Sequence, residues 1–102
     1  MLREDTKKLY GFVVSSKIRL GILDTLFRNP TFRQSQIAKR IKQKQQNIYK
    51  SVGDLEKAGV IECLNPNKKA WKSYIITDNG KEVLQFGIKL EEETKKRNLK
   101  TS

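Results

Sequence analysis

Histidine is absent from these 102 residues, and cysteine occurs once, as Cys63. Without histidine, neither a Ser-His or Cys-His nucleophile nor an imidazole-based metal centre can be assembled. A single thiol excludes an intrachain disulfide framework and every Cys-rich zinc site. No run approaches the roughly 18 apolar residues of a membrane span, and the opening MLREDTKKLY lacks the apolar core of a secretory signal. These absences predict a non-enzymatic protein of a reducing compartment, cytoplasmic, with no cofactor, no metal and no membrane span.

Acidic residues are scarce as well. Asp plus Glu total 11 against 22 Lys plus Arg, giving a formal net charge of +11. On one domain-sized chain such a surplus opposes compaction and favours a polyanionic partner, whether DNA, RNA or an anionic membrane surface, among which composition alone does not choose. Hydrophobic residues make up 36%, enough for a modest core rather than a disordered basic tail. The deficit of acid is concentrated. No Asp or Glu occurs across the 29 positions Thr25 to Gly53, where Arg28, Arg33, Lys39, Arg40, Lys42, Lys44 and Lys50 lie. None occurs between Glu62 and Asp78 either, a stretch holding Lys68, Lys69 and Lys72. A solvated lysine-rich surface is the plain alternative, but exclusion over that length points to a surface facing phosphates.

The apolar spacing organises the rest. Residues 1–14 end in Leu9, Tyr10, Phe12, Val13 and Val14, compatible with helix or strand. Ser15 or Ser16 caps a helix with Ile18, Ile22, Leu23, Leu26 and Phe27 on one face, ended by Asn29-Pro30. A helix from about Gln34 to Ile41 follows, with Ile37, Ala38 and Ile41 inward. After a turn at Lys42 and Gln43, a helix from about Lys44 carries the stripe Ile48, Val52, Leu55 and Ala58, closed by Gly59. Val60–Leu64 and Trp71–Thr77 form a hairpin around Asn65-Pro66-Asn67-Lys68-Lys69. Thr77 or Asp78 caps a last helix with Val83, Leu84, Phe86, Ile88 and Leu90, supported by Glu91–Lys95, Glu92–Lys96 and Glu93–Arg97 pairs and frayed from Asn98.

The predicted fold is mainly α with a small β-hairpin: a winged helix-turn-helix with a three-helix core, a wing and a C-terminal helix. Residues 1–14 form an N-terminal extension, 15–77 the DNA-binding domain, and 78–102 a C-terminal helix that serves dimerisation. With Ile48, Val52 and Leu55 inward, the opposite face of the third helix presents Gln45, Gln46, Tyr49, Lys50 and Gly53. Glutamine pairs bidentately with adenine, and lysine reaches guanine acceptors or phosphate, so Gln45, Gln46, Tyr49 and Lys50 are the candidate base readers. Arg33, Lys39, Lys42 and Lys44 are candidate phosphate contacts, and Lys68 and Lys69 candidate wing contacts to the flanking backbone or a minor groove. Trp71 reads as core or interface, and Cys63 as a strand residue without chemistry.

The phrases SKIRLGILDTL, QIAKRI, NIYKSVGDLEKAGVI and YIITDNGKEVL, in that order between about Ser16 and Gln85, resemble the winged-helix transcription regulators of the MarR and ArsR type. The likeness is greatest to the short archaeal and archaeal-virus versions. This resemblance implies operator binding as a homodimer with the third helices in successive major grooves. It also places Gln45, Gln46, Tyr49 and Lys50 on base-reading positions and Lys68 and Lys69 at the wing tip. Lys42 stands where the motif usually has glycine, and the chain lacks the Cys or His clusters of the metal-sensing ArsR branch.

The expected partners are double-stranded DNA and a second copy, since a last helix apolar over a wide arc needs covering. Any small-molecule effector is unspecified. Two alternatives stay open: a non-specific DNA-coating, chromatin-type protein, and a winged-helix module that binds RNA or a protein partner.

Overall fold

The computed structural model describes the backbone of residues 3–29, 31–68 and 72–101, and the side chains of 5–29, 31–68 and 72–94. Helices α1 (Arg3–Val14), α2 (Lys17–Arg28), α3 (Gln34–Ile41) and α4 (Gln45–Lys57) precede strands β1 (Ile61–Cys63) and β2 (Tyr74–Ile76) and the long helix α5 (Asp78–Thr101). The segment before Ser15, compatible with helix or strand by sequence, is helical. Helix α5 runs on through the residues expected to fray, as far as Thr101.

Local chemistry sets the boundaries. The Ser16 hydroxyl accepts the Arg19 N–H and starts α2. Asn29 closes it, with backbone and side-chain N–H groups donating to the Thr25 carbonyl at 2.8 and 3.0 Å. Gly59 follows α4 at φ +78°, where a side chain would be strained. The Thr77 hydroxyl accepts the Gly80 N–H at 3.2 Å, capping α5, and donates to the Gly59 carbonyl at 2.7 Å. Gly80 itself has no room for a side chain, because a Cβ there would stand 2.3 Å from the Val60 carbonyl oxygen. The start of α5 is therefore held against the end of α4 by backbone contact.

One apolar core joins all the elements. Ile22, Leu23 and Leu26 of α2 meet Ile37 and Ala38 of α3 and Ile48, Val52 and Leu55 of α4. Val60, Ile61, Tyr74 and Ile76 close it from the sheet, Val13 and Val83 from α1 and α5. One expectation needs correction. Phe27, placed by spacing on the inward face of α2, is 41% exposed, because the helix turns its last apolar residue toward α5 rather than the core. Ile88 and Leu90 are exposed at 50% and 38%.

Helices α1 and α5 pack antiparallel as an arm: Tyr10 meets the Phe86 ring edge-on at 5.2 Å between centroids. The radius of gyration is 14.8 Å, against about 13 Å for a compact chain of this length.

Candidate nucleic-acid interface

The turn between α3 and α4 is tight enough to need a left-handed residue. Lys42 supplies it at φ 56°, ψ 47°, with the Gln43 N–H reaching back to the Ala38 carbonyl at 3.0 Å. Lys44 is extended and caps α4 with its backbone only: its carbonyl accepts the Asn47 and Ile48 N–H groups. With no side-chain acceptor at that cap, the first N–H groups of α4 point outward and favour an anion.

Helix α4 then divides into two faces. Ile48, Ser51, Val52 and Leu55 are buried, while Gln45, Gln46, Tyr49 and Lys50 are exposed, Tyr49 at 73%. The structure thus brings the four sequence-predicted base readers onto one solvent-facing patch, spanning about 7.5 Å along the helix. Nothing lies within 4 Å of a Cβ built at Gly53, so that patch continues as bare backbone.

Arg33, Lys39, Lys42 and Lys44 are exposed around it. The Arg33 N–H is satisfied by Oε1 of Gln36 at 2.8 Å, fixing the start of α3. Two other cations of the acid-free window are engaged within the protein. Arg28 binds both carboxylate oxygens of Asp24 at 3.1–3.2 Å, and the Arg40 guanidinium lies 5.7 Å from the Phe32 ring centre. The unopposed charge is thus narrower than the sequence window.

The wing is more than a two-stranded hairpin. Besides the antiparallel pairs Ile61–Ile76, Glu62–Ile75 and Cys63–Tyr74, Ser73 bridges to Arg33. The Tyr74 N–H donates to the Phe32 carbonyl at 3.1 Å and the Gln34 N–H to the Lys72 carbonyl at 3.3 Å. This third rung, missed by sequence reasoning because one bridge leaves no alternating pattern, pins the wing to the start of α3. Asn65 organises the turn: its side-chain oxygen accepts the Ser73 N–H at 2.8 Å, and its carbonyl accepts the Lys68 N–H at 3.0 Å. The Asn-Pro-Asn composition signalled a turn but not this bond. Lys68 is exposed; Lys69 and Trp71 lie outside the described residues.

Cys63 is half-buried, its sulfur 3.7 Å from the same Asn65 oxygen. Beneath the wing the Tyr74 phenol is 3% exposed and its pKa is pushed up to about 12, first by burial and then by the charges of Cys63, Glu56 and Tyr49. Among the described residues no group of three or more His, Cys, Asp or Glu is placed to hold a metal. None of the described helices is long and apolar enough to cross a membrane.

Residues 15–62 match the family described as winged helix-turn-helix DNA-binding. No curated protein sequence matches the chain. Solved structures similar to it include a MarR protein from Peptoclostridium difficile, at 21% identity and a TM-score of 0.68 over 83% of this chain and 56% of that one. A mutant MepR from a multidrug-resistant S. aureus clinical isolate is 16% identical at a TM-score of 0.80, over 96% and 72%. RV1404 from Mycobacterium tuberculosis is 14% identical at 0.78, over 97% and 69%. The chain therefore spans little more than half the length of the first of these and about seven-tenths of the others. Residues 15–62 thus carry the sequence pattern of a winged helix-turn-helix DNA-binding domain, and nearly the whole chain has a fold similar to the MarR-type structures.

Proposed function

We propose that the protein is a sequence-selective, double-stranded DNA-binding transcription regulator that acts as a homodimer in the cytoplasm and catalyses no reaction. The carrying observation is the division of α4: an apolar face locked into the core and a face of Gln45, Gln46, Tyr49 and Lys50 in solvent, ringed by cations. In this reading residues 45–50 enter the major groove, with the glutamines and Lys50 on base edges and Tyr49 on a base or sugar. Arg33, Lys39, Lys42 and Lys44 hold phosphates, and Lys68 and Lys69 hold the flanking backbone or minor groove. Four phosphate contacts per protomer, eight per dimer, predict a slope of log affinity on log salt of roughly −7.

Homodimerisation is supported by the α1–α5 arm and by a groove of about 510 Å³ among α1, α2 and α5. Tyr10, Val14, Leu20, Phe27, Leu84 and Ile88 line much of it, and four of them are exposed. Helix α5 from residue 78 and the helix within residues 1–14 then serve assembly, while residues 15–77 serve DNA. Binding across a promoter by such a dimer would repress by occlusion.

The test is competition between genomic DNA fragments, random duplex and duplex RNA over a salt series. A regulator prefers at least one fragment over random duplex by about a thousandfold. Equal affinity for every duplex DNA would replace this reading by a non-specific coating protein, and preference for RNA by an RNA-binding module.

A further inference from the structure

Arg19 stands at a junction of three helices, away from the exposed face of α4. Its guanidinium carbon lies 4.1 Å from the centre of the Phe12 ring. One terminal nitrogen donates to the Phe12 carbonyl and, at 3.1 Å, to the Ser15 hydroxyl. On its other side the Nε is 4.0 Å from Oδ2 of Asp54. The Phe12 carbonyl belongs to the last turn of α1, where unpaired carbonyls carry the negative end of the helix dipole and a cation is favourable. Asp54 lies one turn beyond Lys50 on α4, and it is the acid that ends the long acid-free window. The two side chains are 23% and 35% exposed, so water and salt weaken the pair less than they would a fully solvated one.

Apart from Thr25 and Ser51, the buried residues of α2 and α4 belong to the apolar core. Apolar packing fixes how close two helices lie but has no direction. A planar guanidinium hydrogen-bonded to a carbonyl and a hydroxyl, laid on a ring face and ion-paired at 4.0 Å with a carboxylate, adds direction. We infer that Arg19 is a positioning residue that locks the height and rotation of α4 against the end of α1, and so ties the recognition helix to the α1–α5 arm. This rests on the reading proposed above, in which α4 enters the groove and the arm joins two copies. The tie between α1 and α4 then sets the separation of the two recognition helices. Arg19 governs tolerance for half-site spacing, not base preference within a half-site.

A preferred duplex would be selected by the wild type from a random-sequence pool, and its half-sites then moved together or apart one base pair at a time. The wild type is expected to favour one spacing sharply. Arg19→Ala and Asp54→Asn flatten that preference by roughly tenfold, the scale of coupling through one contact network. Affinity for a single half-site and the salt slope stay unchanged, and Arg19→Lys, which keeps the charge, restores part of the preference. An unaltered spacing profile in both Arg19→Ala and Asp54→Asn overturns the assignment.

Amide hydrogen exchange on the free proteins provides a readout without DNA. Asp54→Asn should raise exchange at residues 12–15 of α1 and its end by roughly tenfold while leaving α3 unchanged. If the wild type selects no paired half-sites, the dimeric-regulator reading fails and this exchange comparison decides on Arg19 alone. Equal exchange at residues 12–15 in wild type and Asp54→Asn would then refute the tie.

Discussion

The surface made by α3, α4 and the wing and the surface made by α1, α2 and α5 expose opposite kinds of atoms. The first keeps Lys39, Lys42, Lys44 and Lys50 in water, and the acid that closes its window, Asp54, is turned toward Arg19. The second leaves Val14, Leu20, Phe27 and Ile88 between 37% and 50% exposed, around a groove whose charged rim contains both signs. Like charges crowded together cost free energy unless a polyanion relieves them, and clustered apolar side chains cost free energy unless another apolar surface covers them. One chain thus carries two unmet demands of different chemistry, on different helices. Because α2 packs on both sides, the two surfaces are mechanically connected.

The largest expected effect attacks the basic surface. Replacing Gln46 and Lys50 together by alanine should reduce a thousandfold preference for a selected duplex to less than about tenfold, a loss near 3–4 kcal/mol. Binding titrations against selected and random duplex measure it; if discrimination survives, the reading face has been misassigned.

The underside of the same surface is sensitive to alkali. The Tyr74 pKa is raised from 10.0 to about 12, so the unfolded chain ionises first. Stability contributed by the neutral phenol is complete below pH 10 and is lost as pH rises toward 12. The wild type should therefore lose up to about 3 kcal/mol more than Tyr74→Phe across that window, read from denaturant midpoints at each pH. Lysine deprotonation is common to both proteins and cancels in the comparison.

The apolar surface is tested by Phe27→Asp and Ile88→Asp. Each should weaken self-association by roughly thirtyfold in sedimentation equilibrium, about 2 kcal/mol, while the thermal midpoint of the monomer changes little. Dimers of undiminished strength would place the interface elsewhere.

The smallest effect sharpens what the basic surface sacrifices. Lys42 holds a left-handed conformation that glycine adopts without strain. Lys42→Gly is expected to stabilise the fold by about 1 kcal/mol, visible as a rise of several degrees in the melting midpoint. It should also weaken binding to any duplex and lower the salt slope by about one unit per protomer. A stabilised variant with unchanged affinity would show that the Lys42 ammonium meets no phosphate.

Much of this was readable from residue order because the controlling forces are local or periodic. The stripe Ile48, Val52 and Leu55 identifies the buried side of α4, and by subtraction the exposed set at 45, 46, 49 and 50. Ser16, Asn29 and Gly59 mark helix ends through their own hydrogen bonds or φ. Phe27 was misplaced because periodicity reports which face is apolar, not which neighbour covers it. The Arg33–Ser73 bridge and the Asn65–Ser73 bond were invisible because they join residues 40 and 8 positions apart without a repeating pattern. Arg28 counted as free charge until its partner Asp24 was seen one helical turn away.

By itself the sequence determined the element order, the inward stripes, the excess of positive charge and the stretches free of acid. These follow from side-chain size, polarity and spacing along one chain. Only the tertiary structure decided that the wing is pinned to the start of α3, that α1 and α5 form an arm, and that Arg19 spans from α1 to α4. Those depend on distances between residues far apart in the chain, which close packing sets and composition does not.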